Sequence, residues 1–540
     1  MKALFGFCLA VSILSSCGRR SETMDNRLPT ADGVGAAAMP REIAPINAPF
    51  EMPPLERPRF PAKVTNILDH GAVQGGIEVT TGAIQKAIDS ISDSGGGTVV
   101  IPQGKWLTGR LHLKSNVNLE ISGGAELHFS GAMEDYLPAV FCRAEGLEVI
   151  SLGALIYAHK QQNIAVTGSG TIYGPKDGPV REIVLHTVSD SIVSHTTPVH
   201  ERIYDGIEHP VYFRPYSISP IECVNVLIEG VRIVNGAFWN VVPVYCENVI
   251  VRGVRIESEG VPNGDGVNIE SCRNVLVEYC TVRTGDDCYC CKAGRNQDGV
   301  RVSRPVEKAV FRYLLAERGH GGITFGSETA GQIRDVYVHD CVFDNNNMGI
   351  RFKTRRPRGG GGEHIIIENI RVDVSRNAIE WDMLGRPEWV GELAARYPVR
   401  PVTPLTPFYR HIRIKNVAGR SGRHVVKMEG LPESTARDVV IENVHLHAKH
   451  GISLTDGEGI QLKNISVSIE DEPLFEIRDC RDLQVENMNI DTPLDAVFTL
   501  YGERCGGIDL SEVQINGGRD IEIVVREGAD RGAVKLRGKR

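Results

Sequence analysis

The sequence repeats an apolar alternation that ends in a turn, and this repeat constrains the fold more than any other feature. Its clearest copies begin about 23 to 34 residues apart, at Asn225, Asn248, Asn274, Lys308 and Asp335. Spacing of this size is typical of solenoids, in which each repeat buries its apolar side chains against its neighbours. A strand–turn–strand coil this short has no room for crossover helices, which excludes an α/β barrel. We therefore predict an all-β, single-stranded parallel β-helix, right-handed because parallel crossovers almost always are.

The same pattern continues toward both ends of the chain. Later coils are predicted at His364–Val372, His411–Val417, Asp438–Leu446, Gly459–Val467, Asp482–Ile490 and Gly506–Ile515. Apolar residues at helical spacing between Thr80 and Ile91 predict a short capping helix over the first coil. Two stretches break the period, near 174–212 and 381–408, and we interpret them as insertions. Residues 61–540 are thus expected to form one catalytic domain.

The first 17 residues have the features of an export signal, with Lys2 followed by an apolar run from Ala3 to Leu14. The sequence Leu14-Ser15-Ser16-Cys17 resembles the bacterial lipobox, in which the cysteine takes the lipid; an ordinary signal peptide is the alternative. Residues 18–60 show no periodicity and predict a flexible tether. The expected location is therefore outside the cytoplasm of a bacterial cell, lipid-anchored in the periplasm or at the cell surface, with no other contact to the membrane.

Charge and cysteine usage exclude several classes of partner. The formal net charge of −8 argues against a nucleic-acid binder. The chain has thirteen cysteines, and many recur at equivalent positions of successive repeats, which favours buried, stacked side chains over disulfides. Cys288, Cys290 and Cys291 have no further ligands at metal-site spacing, so we predict no metal and no cofactor. We expect a monomer.

Four polar clusters fall at much the same phase of successive repeats, about 11 to 18 residues after each start. They are Asn263-Gly264-Asp265, Gly285-Asp286-Asp287, Gly319-His320-Gly321-Gly322 and Arg351-Phe352-Lys353. Equal phase in a stacked repeat means one column, with neighbouring coils about 4.8 Å apart. The column would bring three carboxylates beside several cations.

This column has the residue types that glycosidic hydrolysis requires, namely one protonated carboxylic acid and one carboxylate that activates water. Crowding of Asp265, Asp286 and Asp287 raises the pKa of at least one of them. Arg351 and Lys353 are two apart on a strand, so they share a face and could bind a substrate carboxylate. Taken singly, each cluster also fits a structural role: a solvated turn, a structural histidine at His320 or a surface charge pair.

In their order, these four clusters resemble the polygalacturonase family, glycoside hydrolase family 28. Flanking segments agree, including Trp106-Leu107-Thr108-Gly109, Lys292-Ala293-Gly294-Arg295-Asn296 and Gly326-Ser327-Glu328. Gly264 stands where the family usually has Thr, and Phe352 where it usually has Ile. The tyrosine that often follows Arg-x-Lys has no clear counterpart, with Trp381 and Tyr409 as the nearest candidates.

The resemblance implies a pectin-lyase-like right-handed β-helix that hydrolyses α-galacturonosidic bonds of pectic polysaccharide with inversion. By position Asp286 would be the general acid, Asp265 and Asp287 would activate water, and His320 would hydrogen-bond the acid or the substrate. Asn263, Arg351 and Lys353 would bind substrate. We expect exo-action, because the insertions could close one end of a groove. The alternatives are β-elimination by a calcium-dependent pectate lyase on the same fold and a non-catalytic β-helix that binds carbohydrate.

Overall fold

The computed structural model describes residues 27–182, 192–492, 498–515 and 521–537. Its helices are α1 (Thr81–Asp93), α2 (Asn296–Val302) and α3 (Pro387–Val390). The first strands are β1 (Val64–Asn66), β2 (Gly97–Ile101), β3 (Gly104–Thr108), β4 (Leu111–His112), β5 (Val117–Ile121), β6 (Ala125–Phe129), β7 (Val140–Ala144), β8 (Leu147–Ser151), β9 (Ala154–His159), β10 (Gln162–Gly168), β11 (Thr171–Tyr173), β12 (Tyr216–Ile221), β13 (Val224–Glu229), β14 (Arg232–Val234), β15 (Glu247–Arg252) and β16 (Arg255–Ser258).

The strands that follow carry the second half of the solenoid. They are β17 (Val267–Glu270), β18 (Arg273–Glu278), β19 (Thr281–Thr284), β20 (Tyr289–Lys292), β21 (Val306–Arg312), β22 (Leu315–Phe325), β23 (Ile333–Lys353), β24 (Gly361–Val374), β25 (Ile379–Asp382), β26 (Phe408–Glu429), β27 (Ala436–Thr455), β28 (Gly457–Arg478), β29 (Arg481–Ile490), β30 (Phe498–Tyr501), β31 (Ile508–Ile515), β32 (Ile523–Arg526) and β33 (Val534–Arg537).

The predicted right-handed parallel β-helix is confirmed. Strands β13, β15, β18, β21 and β23 pair in parallel, and the register joins Val226, Val249, Val275, Ala309 and Val336. These residues directly follow the five predicted repeat starts. All five starts have a φ between 51° and 58°, the left-handed conformation that Asn and Asp tolerate better than most residues. The alignment of repeats in the sequence is therefore the alignment of coils in space.

Asparagine side chains join successive coils at these turns. The amides of Asn163, Asn225, Asn248 and Asn274 each donate to the asparagine one coil earlier, at 2.9 to 3.1 Å. The ladder satisfies polar groups in half-buried turns that would otherwise lose their hydrogen bonds with water.

The interior of the solenoid is a continuous apolar stack. Its aromatic part runs from Phe325 to Phe352, with ring centres 4.9 Å apart, and on to Trp381, 4.4 Å further. Helix α1 covers the first coil with Ile84, Ala87, Ile88 and Ile91, as the helical spacing predicted. All eleven cysteines of the described residues are buried and unpaired, which agrees with their predicted role as small core side chains.

The predicted flexible tether is wrong for residues 27–60, which we call the N-terminal arm. Leu55 is buried against a column of Leu227, Ile250, Leu276 and Val310 on the outside of the solenoid. Buried Arg252 and Arg312 donate to arm carbonyls, at 2.8 Å from the oxygens of Pro40 and Ala44 respectively. The arm is ordered because this outer sheet face is apolar and needs a cover.

The signal segment, residues 1–17, and Cys17 lie outside the described residues, as does the start of the tether up to residue 26. Within the described ranges no helix is both long and apolar enough to cross a bilayer.

The insertions differ in extent from the prediction. Trp381 still belongs to β25, so the second insertion begins after Asp382 and ends before β26; we call residues 383–407 the side segment. The described part of the first insertion carries two short 3-10 turns, Pro179–Arg181 and Val199–Glu201. One further protrusion was not anticipated as such, the antiparallel hairpin β7–β8.

Candidate active site

The structure brings the four polar clusters together on or directly before four neighbouring strands. Strands β17, β20, β22 and β23 pair in parallel in that order. Backbone hydrogen bonds also join successive clusters directly. Gly266 N donates to Asp287 O at 3.0 Å, and Cys288 N donates to Gly321 O at 2.8 Å. Asp265, Asp286, His320, Arg351 and Lys353 line one cavity, and Asp287 lies buried behind it.

Asp287 is the carboxylate most strongly paired with cations. It is fully buried, and it accepts from Lys353 Nζ at 2.6 Å and from an Arg351 guanidinium nitrogen at 3.4 Å. Burial alone would raise its pKa, but the charges of Lys353 and Arg351 outweigh this and hold the pKa far below its usual range. Asp287 is therefore ionised at neutral and mildly acidic pH.

Asp286 faces the cavity and is paired with His320. The Nδ1 atom of His320 lies 3.2 Å from Asp286 Oδ1, which also accepts from the Asp287 amide at 2.9 Å. Burial raises the pKa of Asp286, yet the hydrogen bond with His320 and the charge of Lys353 bring it below its ordinary value. The same hydrogen bond raises the pKa of His320.

The pKa of Asp265 is shifted in the opposite direction from that of Asp286 and Asp287. Its side chain is 3% exposed, accepts from Asn268 Nδ2 at 3.2 Å and lies 3.5 Å from Lys292 Nζ. Burial, followed by repulsion from Asp286, raises its pKa to about 7. Burial and crowding thus raise the pKa of Asp265, whereas the residue that the resemblance implies as the acid is Asp286.

A buried network behind Asp265 contains residues to which sequence reasoning gave no role. Lys292 Nζ lies 3.2 Å from Glu328 Oε2 and 4.4 Å from the centre of the Trp239 ring. Its neighbours raise the pKa of Lys292 well above the usual value although burial opposes this. Lys292 and Glu328 stood within the flanking segments of the family resemblance. For Lys292, at the end of β20, strand alternation was the signal that could have identified it; Glu328 lies in a loop and gave no such signal.

The remaining predicted site residues have clear positions. Asn263 lies at the cavity edge and accepts from Arg214 at 3.1 Å. Neither candidate for the family tyrosine lines the cavity: Trp381 is inside the aromatic stack, and the hydroxyl of buried Tyr409 donates to the carbonyls of Phe325 and Lys353.

The cavity has a volume of about 280 Å³ and a buried and an exposed end. Arg295 and Glu328 form the buried end, with Glu145 from the β7–β8 turn beside them, whereas Arg386 and Trp389 of the side segment stand exposed at the mouth. The described part of the 174–212 insertion supplies no residue to the cavity lining. The β7–β8 hairpin therefore occupies the position beside the cavity that was predicted for this insertion. The size is at the small end of ligand pockets, which favours a chain end over the middle of a polymer.

The carboxylates are a poor metal site because cations already neutralise them. Asp265, Asp287 and Cys290 have potential ligand atoms within 4.8 Å of one another. However, Lys353 and Lys292 sit against these two carboxylates, and calcium prefers six to eight oxygen ligands. A second group, Glu363 with His364 and His411, lies on the outer surface of the solenoid.

Comparison with known proteins gives a consistent result. The family model described as "Glycosyl hydrolases family 28" matches residues 208–455, a range that contains all four clusters. A probable polygalacturonase of Vitis vinifera is 27% identical over 415 residues, covering 74% of this chain and 78% of the relative. An exo-poly-alpha-D-galacturonosidase of Dickeya chrysanthemi is 28% identical over 331 residues, covering 57% of this chain and 54% of the relative.

Solved structures extend the comparison to about four fifths of the chain. A hyperthermoactive exopolygalacturonase from Thermotoga maritima is 31% identical, with a TM-score of 0.66, covering 81% of this chain and 93% of the other. A family 28 exopolygalacturonase from Yersinia enterocolitica shares the fold at 22% identity and a TM-score of 0.58, covering 80% of this chain and 79% of the other.

Proposed function

Because the chain belongs to glycoside hydrolase family 28, we propose that its cavity hydrolyses α-galacturonosidic bonds of pectic polysaccharide from a chain end, with inversion. The observation that carries this proposal is the column of three carboxylates beside Lys353 and Arg351 in a cavity with one buried end. The exopolygalacturonase from Thermotoga maritima, 31% identical, supports the exo mode.

The three carboxylates differ enough to take different roles. Asp286 reaches the cavity and is the general acid that protonates the glycosidic oxygen as its bond to the anomeric carbon breaks. The oxygen of a water molecule attacks that carbon from the opposite side. Asp287, which Lys353 keeps ionised behind the cavity, takes the proton that the water releases once the bound substrate brings this water against its carboxylate. The products are one free sugar with inverted configuration and a shortened chain.

Asp265 completes this arrangement by sharing the catalytic proton. Asp265 and Asp286 repel each other, so the two titrate as a coupled unit and not independently. Below about pH 7 this unit holds one proton, which lies on Asp265 before substrate binds. Substrate that fills the cavity removes water from Asp286, which shifts the proton toward it. His320 keeps Asp286 oriented through their hydrogen bond.

Arg351 and Lys353 bind the substrate in addition to pairing with Asp287. Both side chains reach the cavity, at 16% and 18% exposure, with donors left over after their bonds to Asp287. We assign these donors to the carboxylate of the galacturonate at the cleaved bond, since a charge-assisted contact discriminates an acid from its ester.

Product analysis tests the reaction. Homogalacturonan treated with the protein should release galacturonate from the start of the digest, first as the anomer of inverted configuration by NMR. Asp286→Asn should reduce turnover at least about a hundredfold with an unchanged thermal midpoint. Asp438→Asn, which removes a half-exposed carboxylate from an outer turn, is the matched control.

Each rival predicts a different product. An early ladder of oligomers contradicts exo-action. Unsaturated, ultraviolet-absorbing ends and inhibition by a chelator would establish a lyase. Binding of pectic fragments without any cleavage would establish a carbohydrate-binding protein. Full activity of Asp286→Asn would remove this residue from the acid role.

We further propose that the protein is exported and lipid-anchored through Cys17, and that it acts as a monomer. The lipobox-like Leu14-Ser15-Ser16-Cys17 supports the anchor. Radiolabelled palmitate should enter the wild-type protein in a bacterial host and not the Cys17→Ala variant. Unlabelled wild-type protein would favour an ordinary signal peptide. Light scattering on protein lacking the signal should give the mass of one chain, and a dimer mass would contradict the monomer.

A further inference from the structure

The mouth of the cavity carries two side chains that the proposed chemistry does not use. Trp389, on α3 of the side segment, lines the cavity although it is 43% exposed. Arg386, three residues earlier, is exposed and forms no ion pair with another described residue. An exposed tryptophan beside an unpaired cation, at the rim of a cavity, is typical of a surface that binds a ligand.

The side segment, whose backbone carries these two side chains, is anchored to the solenoid through Arg356 and Arg396. Arg356 donates to the carbonyls of Leu393 and Ala395, at 3.0 and 2.7 Å. Arg396 contacts Asp456 and Asp479, both at 2.6 Å, and Asp456 is fully buried. A binding surface that is ordered beforehand loses less entropy when its ligand binds.

A row of basic residues lines one side of the cavity, beginning at the cleavage site. Lys353 contacts the catalytic carboxylate Asp287. Arg355 follows two residues later, and its guanidinium carbon lies 5.5 Å from the centre of the Trp389 ring. Trp389 and Arg386 are exposed where they line the cavity, whereas Glu328 of the same lining is buried. A chain whose terminal sugar occupies the buried part of the cavity leaves it through the exposed part, where these two residues lie.

We propose that Trp389 and Arg386 form a binding subsite for the third uronate of the chain, beyond the two sugars that flank the cleaved bond. This rests on the proposed exo-hydrolysis. The apolar C–H face of the pyranose packs on the indole ring, and Arg386 pairs with the carboxylate of that sugar. The subsite makes the enzyme prefer chains of three or more uronates.

Substrate length tests the subsite, because digalacturonate has no third sugar. Trp389→Ala should lower kcat/KM for trigalacturonate about tenfold or more and leave the value for digalacturonate within about twofold. Trp389→Tyr should retain most of the wild-type preference, since it keeps a ring. Arg386→Gln should lower the trigalacturonate value about three- to tenfold and make it less sensitive to salt. Val402→Ala is the matched control, because Val402 is a 72% exposed residue of the same segment away from the cavity lining.

Two results would overturn the subsite: equal losses on both substrates, or no loss on trigalacturonate. Failure of the wild-type protein to cleave either substrate would instead overturn the proposed function. In that case calorimetry with trigalacturonate on Asp286→Asn still tests the subsite. Adding Trp389→Ala should weaken that binding about tenfold, and unchanged binding would refute the role of the ring.

Discussion

Lys292 should control the pH range of the enzyme through Asp265. Its Nζ lies 3.5 Å from Asp265 Oδ2, and both side chains are 3% exposed. At an effective dielectric constant of about 20, two unit charges at this distance attract by about 4.7 kcal/mol, or about 3.5 pKa units. Relaxation reduces such effects to about 1 to 3 units for an opposite charge in contact. Lys292→Met should therefore raise the pKa of the shared proton from about 7 by that amount.

The assay is the pH dependence of kcat/KM on digalacturonate, which reports the groups of the free enzyme. In the wild type, activity should fall as the pH rises through about 7, because the site then loses the proton that the leaving oxygen requires. In Lys292→Met this alkaline limb should move upward by about 1 to 3 units. The movement is upward because the lost ammonium had stabilised the carboxylate form.

A matched variant separates this effect from a general loss of charge. Lys415→Met removes a lysine 3.9 Å from Glu368 on the outer surface. This variant should leave the alkaline limb of the pH profile in place. An unmoved alkaline limb in a folded Lys292→Met protein would refute the coupling between Lys292 and the catalytic proton, whatever happened to the maximal rate.

Three further predictions follow from other contacts. Arg351→Ala should lose about ten- to a hundredfold in kcat/KM on free galacturonan and little on its methyl ester, so that the two rates converge; equal losses on both would show that Arg351 does not bind the carboxylate. Burial raises the pKa of Glu270 to about 7, so the folded protein holds a proton that the unfolded chain loses above about pH 4.3. The free energy of unfolding should therefore decline between these values, and Glu270→Gln should remove about 1 to 3 kcal/mol of the decline, as denaturant titrations at pH 5 and 8 would show; an unchanged slope would mean that Glu270 is ionised when folded. Deletion of residues 27–60 should expose the column around Leu227 and Ile250 and lower the thermal midpoint by several degrees; an equal midpoint would mean that the arm contributes nothing to stability.

The repeat was sufficient to predict the coils and the column because both depend only on period and phase. The φ values at Asn225 and Asn248 show why. Each repeat starts at a turn of the same geometry, so the number of residues after this turn gives a residue's position around the coil. The neighbours of Asp287 could be anticipated in the same way, since Arg351 and Lys353 come from the rungs above it.

What the sequence could not provide depends on contacts between distant parts of the chain. The arm has no periodicity of its own, and only the apolar outer face formed by residues such as Leu276 orders it. The location of the raised pKa at Asp265 follows from its burial, which a motif does not encode. The hairpin β7–β8 turns at Glu145-Gly146, where Gly146 has the positive φ, 85°, that a two-residue turn of this kind requires.

The arm also constrains how the protein folds. Arg371 Nε donates to Pro29 O at 2.9 Å, a contact between residues 342 positions apart. A chain made from its N-terminus has its arm early and the coil with Arg371 much later. Closing so large a loop is costly before its contacts form. The beginning of the arm, at Pro29, can therefore dock only after the coil that carries Arg371 has formed, whereas the part around Leu55 packs on coils that are made earlier.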